Sequence, residues 1–75
     1  MIKLSAKWAK ELTSKPEAGM GYQIGSIILF NGTRYDQVVI DSGFITRGRD
    51  FGSIIPFEEK DIEEIIVTND KWEGL

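Results

Sequence analysis

Three runs in the middle of the chain, QIGSIILF, TRYDQVVID and FITRGR, are separated only by short turn signals. They are rich in Ile, Val, Phe, Tyr and Thr, residues that suit a pleated and partly buried surface. Turns this short join antiparallel neighbours, so the runs predict a meander. Asn31-Gly32 is the strongest of the turn signals. It predicts a two-residue type I′ turn, in which both central residues take positive φ. Asp41-Ser42-Gly43 supplies the second turn. Within the runs apolar residues sit side by side, as in Ile27-Ile28-Leu29-Phe30 and Val38-Val39-Ile40. Strict alternation would leave one face of the sheet wet, whereas adjacent apolar residues require cover on both. A strongly curled sheet, or a helix laid across it, provides that cover.

The flanks complete the plan. Leu4, Trp8 and Leu12 recur at i, i+4 and i+8, which predicts a helix over about residues 5–13 with Ser5 as N-cap and Pro16 as its stop. After the meander, SIIPF reads as a fourth extended piece with Pro56 at an edge or strand end. EEKD reads as one helical turn and IEEIIVT as a closing strand. The fold expected is therefore mainly β, or α+β by strict count. A short N-terminal helix precedes a four- to five-stranded antiparallel meander, whose element order over residues 22–68 resembles a small SH3-like or Sm-like barrel. One domain spans 1–75: helix, Gly-rich connector 16–21, β region 22–68 and tail 69–75. The expected core is Leu4, Trp8, Leu12, Ile27, Leu29, Tyr35, Val38, Ile40, Phe44, Ile54, Ile62, Ile65 and Val67. Its weak point is register, since a bulge after the first turn exchanges the faces of the second strand.

Composition narrows the chemistry. The 75 residues include no Cys and no His, so disulfides and thiolate or imidazole metal sites are excluded. Only an all-oxygen site for a hard cation remains open, and no cofactor or metal is expected. A domain of this size buries only about 60–65 % of its unfolded surface, which makes self-association a natural supplement. With 41 % hydrophobic and 28 % charged residues the chain is globular rather than disordered. MIKLSAKWAKEL lacks the apolar run of a signal peptide, and no segment approaches the roughly 20 apolar residues of a bilayer span. The expectation is a soluble cytoplasmic protein without a membrane partner.

Short motifs that suggest chemistry do not survive inspection of their context. EAGMGYQIG has the spacing G-x-G-x-x-x-G, follows a helix and precedes a strand. A dinucleotide loop needs G-x-G-x-x-G between a strand and a helix. The structural reading is that Gly19 and Gly21 turn the chain out of the helix, while Gly25 marks a bulge or a close backbone approach. Asp50-Phe51-Gly52 lacks every other kinase element. Asn31-Gly32-Thr33 matches a glycosylation acceptor but serves as a turn. The acidic run Glu58–Glu64 lacks the ligand spacing of a calcium loop and reads as a solvated face. Neither a nucleophile–base pair nor a phosphate loop is present, so no catalytic residue is assigned and the chain is not read as an enzyme.

Two sets of residues remain as binding candidates. Trp8 and Trp72 are the candidate protein contacts, with packing into the domain as the alternative for each. Arg34, Arg47 and Arg49, with Tyr35 nearby, form a candidate single-stranded nucleic-acid surface. Against that surface stand the net charge of −3 and the partners Asp36, Asp41 and Asp50. Pro16–Gln23 (PEAGMGYQ) and Thr68–Trp72 (TNDKW) give the chain a resemblance to short uncharacterised bacterial proteins carrying PE-x-GMGYQ and a terminal T-x-DKW. That resemblance implies a bacterial cytoplasmic origin and no known activity. The functional expectation is a non-enzymatic interaction module, an adaptor or regulator that binds a protein. Nucleic-acid binding through the arginine face is the second reading.

Overall fold

The computed structural model describes residues 1–70; Trp72 lies outside the described residues. Strands β1 (Ile2–Lys3), β2 (Tyr22–Leu29), β3 (Arg34–Asp41), β4 (Phe44–Gly48) and β5 (Ile62–Val67) form one antiparallel sheet in the order β1-β4-β3-β2-β5. The sheet curls into a half-barrel, and helix α1 (Ala6–Thr13) packs Leu4, Trp8 and Leu12 into its concave side. A 3-10 turn (Glu59–Asp61) introduces β5. Mainly β architecture with one short helix is what the periodicity predicts.

The two hairpin turns exchange roles. At Asn31-Gly32 the Gly32 amide donates to the Leu29 carbonyl and the Leu29 amide to Thr33, and only Gly32 has positive φ. This is a three-residue loop, a type I turn closed by a left-handed glycine, instead of the two-residue type I′ turn expected. The Asn31 side chain accepts from the Thr33 amide, which holds the longer loop. The two-residue turn with positive φ at both centres is Ser42-Gly43, at +52° and +83°.

The fourth expected strand does not form. Ser53–Phe57 is irregular, Ile54 is 82 % exposed, and Phe57 turns into the core. The cause is an aromatic cluster: Tyr35 stacks on Phe57 at 5.5 Å, and Phe51 meets both rings edge-on at 5.3 and 5.8 Å. Seating Phe51 requires Gly48, whose hypothetical Cβ would lie 2.4 Å from the ring. Residues 49–57 are thereby wrapped around a plug instead of extended along a neighbour. The fifth strand comes from the N-terminus, where Ile2 and Lys3 pair with Ile45 and Phe44.

Bulges settle the registers. In β3, Asp36 and Gln37 together oppose Ser26, with Gln37 at φ 56°. Tyr35, Val38 and Ile40 therefore all reach the concave side. In β4 the extra residue is Thr46, so Ile45 is fully buried while Phe44 is half-buried on the convex face. Phe44 and Ile54 thus leave the expected core, and Ile45 and Phe57 enter it. Tyr35 and Val67 are packed against the core but only partly buried. Ile24 and Val39 face each other on the convex side and are buried there. Convex-side cover is what the adjacent apolar residues predicted.

The glycine-rich connector is a turn. The Tyr22 amide donates to the Gly19 carbonyl, and Gly21 takes φ 82°, as the third position of a type II turn demands. Two amide side chains hold it in place. Gln23, 7 % exposed, points its Nε2 at the carbonyls of Leu12 (2.9 Å), Lys15 (3.2 Å) and Pro16 (3.1 Å), closing the C-terminal end of α1. Asn69 donates to Pro16 and accepts from the Ile24 amide, tying the connector to the end of β5. Replacing Gln23 by Leu leaves these acceptors undersatisfied and is expected to cost about 1–3 kcal/mol. Gln23→Glu is expected to be worse at neutral pH, because a carboxylate then faces three carbonyl oxygens. Burial beside them raises the folded-state pKa of the introduced carboxyl, so this variant should regain stability on acidification below that pKa. Urea titrations of both variants at pH 7 and pH 4.5 check the sign.

Candidate functional site

The structure removes one binding candidate at once. Trp8 is 6 % exposed in the core beside Leu4 and Leu12, so it offers no partner contact. The i, i+4, i+8 stripe is the face the helix spends on its own sheet, the packing reading of Trp8. Lys7 covers the ring, its Nζ 4.9 Å from the centroid.

The arginines are placed on the convex side and at its rim. Arg34 opposes Ile28 at the start of β3, Arg47 opposes Val39, and Arg49 lies in the turn after β4. Arg34 Nε donates to Asp36 Oδ1 at 2.9 Å and its Nη2 to Ser26 Oγ at 3.4 Å. Arg49 Nε donates to Asp50 at 3.4 Å. The Ser26 hydroxyl also donates to Asp36. That bond, then the one from Arg34, holds the Asp36 carboxyl below its ordinary 3.8, and the charge of Arg49 adds to the effect. Tyr35 belongs to the opposite face, since it neighbours Arg34 in the strand and its ring sits in the Phe51–Phe57 cluster. Arginine and tyrosine are therefore not presented together.

A depressed folded-state pKa means that the unfolded chain takes up the proton first as pH falls. The contribution of Asp36 is thus present above about pH 4 and is lost as pH drops through its folded value. Asp36→Asn should lose this contribution near pH 7 and converge with the wild type as pH falls below about 4, a small difference because the side chain is 45 % exposed and screened by solvent.

The acidic run is not simply a solvated face. Glu58 and Asp61 form a reciprocal capping box around the 3-10 turn. Glu59 accepts from the Ser5 amide and so fastens the turn to the start of α1. Ser5 stands at the N-cap, but its own side chain makes no capping bond. Glu63 and Glu64 remain, exposed, on β5.

That strand carries the feature sequence reasoning did not reach. On the β4 side the edge strand is β1, only two residues long, and beyond it the loop that bonds Gly48 to Gly52 follows β4. On the other side, no described residue pairs with β5 beyond its β2 ladder. Thr68 donates to Ile24, and antiparallel alternation then turns Ile66 and Glu64 toward β2. The N–H and C=O groups of Ile65 and Val67 consequently point to the open edge. At the head of β5 lies a cleft of about 300 Å³ lined by Leu29, Phe30, Asn31, Pro56, Phe57, Lys60 and Asp61. Phe30 is 69 % exposed at its lip, and its amide donates to the Asp61 carbonyl. Parity could have flagged Phe30: if Leu29 is core, the next residue in the strand faces out.

A larger groove of about 630 Å³ runs between the end of α1 and the Ser42-Gly43 turn, floored by Leu12 and Ile40. Its one buried polar side chain, Gln23, is fully engaged with backbone carbonyls. Among the described residues no three His, Cys, Asp or Glu side chains are grouped to hold a metal ion, and no helix is long and apolar enough to cross a membrane. No protein-family model, curated protein or solved structure matches the chain.

Proposed function

We propose that this chain is a protein-interaction module that accepts an extended segment of a partner along the free edge of β5. The observation that carries the reading is the pair of outward-facing backbone groups at Ile65 and Val67, on a strand ordered by its ladder to β2. An unpaired edge of this kind supplies main-chain hydrogen bonds to an added strand, and side chains beside it supply selectivity. The convex arginines favour nucleic acid less, because Asp36 and Asp50 pair with Arg34 and Arg49.

Val67→Pro separates edge pairing from fold stability. It removes one outward N–H and leaves the β2 ladder bonds, which come from the alternate residues, in place. Peptides selected from a displayed library against the wild-type chain should bind the variant at least about tenfold more weakly, a difference of about 1.4 kcal/mol. Its urea midpoint should move far less than that of a core truncation. Equal binding by the two proteins would refute edge pairing. Titration with single-stranded DNA and RNA across salt concentrations tests the second reading, which requires an affinity that falls steeply with salt.

A further inference from the structure

The Phe30 cleft lies just beyond the head of β5, on its β2 flank, where the Phe30 amide donates to the Asp61 carbonyl, and the strand edge and the cleft together define a partner. Resting on the edge-pairing reading, we infer that the partner segment is a basic extended strand with one large apolar side chain that enters the cleft between Phe30 and Phe57.

Charge selects the strand. Between residues 58 and 64 the chain carries Glu58, Glu59, Asp61, Glu63 and Glu64 against Lys60 alone. Lys60 Nζ is itself 3.5 Å from Glu58. Glu59 is spent on the Ser5 amide, and Glu58 and Asp61 on each other's backbone, but none of these bonds cancels the negative charge. Glu63 and Glu64 are exposed on the edge strand itself, Glu64 opposite Ile28 and Glu63 the extra residue of the bulge before Ile62 pairs with Leu29. Opposite charges across paired strands stabilise, and like charges in that position destabilise. A strand bearing Lys or Arg on alternate residues therefore matches this edge.

The same charges argue against a second copy as occupant. Two β5 strands paired about Glu63 and Glu64 set carboxylates against carboxylates. Of the chain's own N-terminal lysines, Lys7, Lys10 and Lys15 lie on α1 and just after it, and Lys3 lies on the edge strand β1, whose two residues are too few to pair along β5. Charge and bulge thus protect the edge from self-pairing while leaving it available to a cationic segment.

The cleft supplies the anchor. Phe30 keeps 69 % of its surface in water, and Pro56 and Phe57 face it across about 300 Å³. That volume suits one Phe, Leu or Met side chain, not a separate small-molecule ligand. Its floor is rigid, because Phe57 is held by Tyr35 and Phe51. Lys60 and Asp61 form the polar lip, and Asp61 directly precedes the edge strand. A partner paired along Ile65 and Val67 reaches the cleft by running past Glu63 and crossing the head of β5 at Asp61.

Fluorescence anisotropy with three labelled decapeptides tests this. One alternates Val and Lys and ends in Phe, the second replaces Lys by Glu, and the third replaces the terminal Phe by Ser. The first should bind, the second should show no measurable binding, and the third should bind at least about tenfold more weakly than the first. Phe30→Asp should remove the difference between the first and third peptides, and Glu63→Lys with Glu64→Lys should invert the preference between the first and second. Equal binding of all three peptides overturns the inference, and so does indifference to Phe30→Asp and to the double charge reversal. If those outcomes coincide with loss of binding in Val67→Pro, edge pairing stands and only the partner's chemistry is refuted. Failure of all three peptides to bind at millimolar concentration overturns the inference, and edge pairing falls with it only if library-selected peptides bind Val67→Pro as tightly as the wild type.

Discussion

Gly25→Val is expected to abolish the cooperative fold at 25 °C. A Cβ at position 25 would lie 2.5 Å from the Ile66 carbonyl oxygen, 3.2 Å from its carbon and 3.3 Å from the Val67 Cα. All three are backbone atoms, so no rotamer change relieves the clash. Relief requires β2 and β5 to separate, and that breaks the ladder from Gly25–Val67 to Leu29–Ile62. Overpacking of a core costs about 1–3 kcal/mol even where side chains can yield. A chain of this length has about 4–11 kcal/mol in total at the usual stability per residue. Gly25→Ala should be strongly destabilising for the same reason. Gly32→Ala is the contrast: its φ of 90° imposes strain, but nothing lies within 4 Å of an added Cβ. That change should cost about 1–2 kcal/mol and keep a two-state transition. Circular dichroism against urea separates the two cases.

Phe57→Ala should cost about 3–5 kcal/mol, the range for truncating a buried aromatic ring. Phe57 is 7 % exposed and stands between Tyr35 and the half-buried Phe51, so its removal disconnects residues 49–58 from the sheet. Phe57→Leu keeps most of the volume and should cost less than half as much. Because Phe57 also floors the Phe30 cleft, the leucine variant should bind aromatic-anchored peptides more weakly while its edge remains intact. A loss below about 1 kcal/mol on Phe57→Ala would mean that the three rings do not hold the loop.

The reach of the sequence can be traced through single residues. Leu4, Trp8 and Leu12 gave away the helix because packing follows a 3.6-residue period that no other element disturbs. The meander was legible because each apolar run ends at residues able to take positive φ. Turn type was not, since Asn31-Gly32 and Ser42-Gly43 are both compatible with a left-handed glycine. What decided between them was the Leu29–Thr33 pairing, a long-range outcome. Phe44 and Ile45 changed places because the Thr46 bulge shifts the strand by one residue, and a shift of one exchanges faces. SIIPF has strand-like composition, but Phe51 and Phe57 find Tyr35 across the fold, and that contact outweighs local propensity.

The binding residues followed the same division. Trp8 was visible as an aromatic on an amphipathic stripe, but only packing could show the stripe consumed by the core. Tyr35 and Arg34 are sequence neighbours, and strand geometry necessarily sends neighbours to opposite faces. That β5 has no neighbour but β2 among the described residues could not be read from the sequence, because it is a property of strand order. Gln23 carried a signal that parity reveals: it shares the inward register of Gly25, Ile27 and Leu29, and a buried amide there must have acceptors.

Amide hydrogen exchange at Ile65 and Val67 tests the central claim most directly. If their N–H groups face an open edge, both should exchange in the free protein at rates close to those of exposed backbone, while Ile66, bonded into the β2 ladder, stays protected. Adding the Val-Lys peptide that ends in Phe should slow exchange at Ile65 and Val67 and leave α1 unchanged. Protection of those two amides in the free monomer, or exchange indifferent to saturating peptide, would contradict the assignment of β5 as the docking edge.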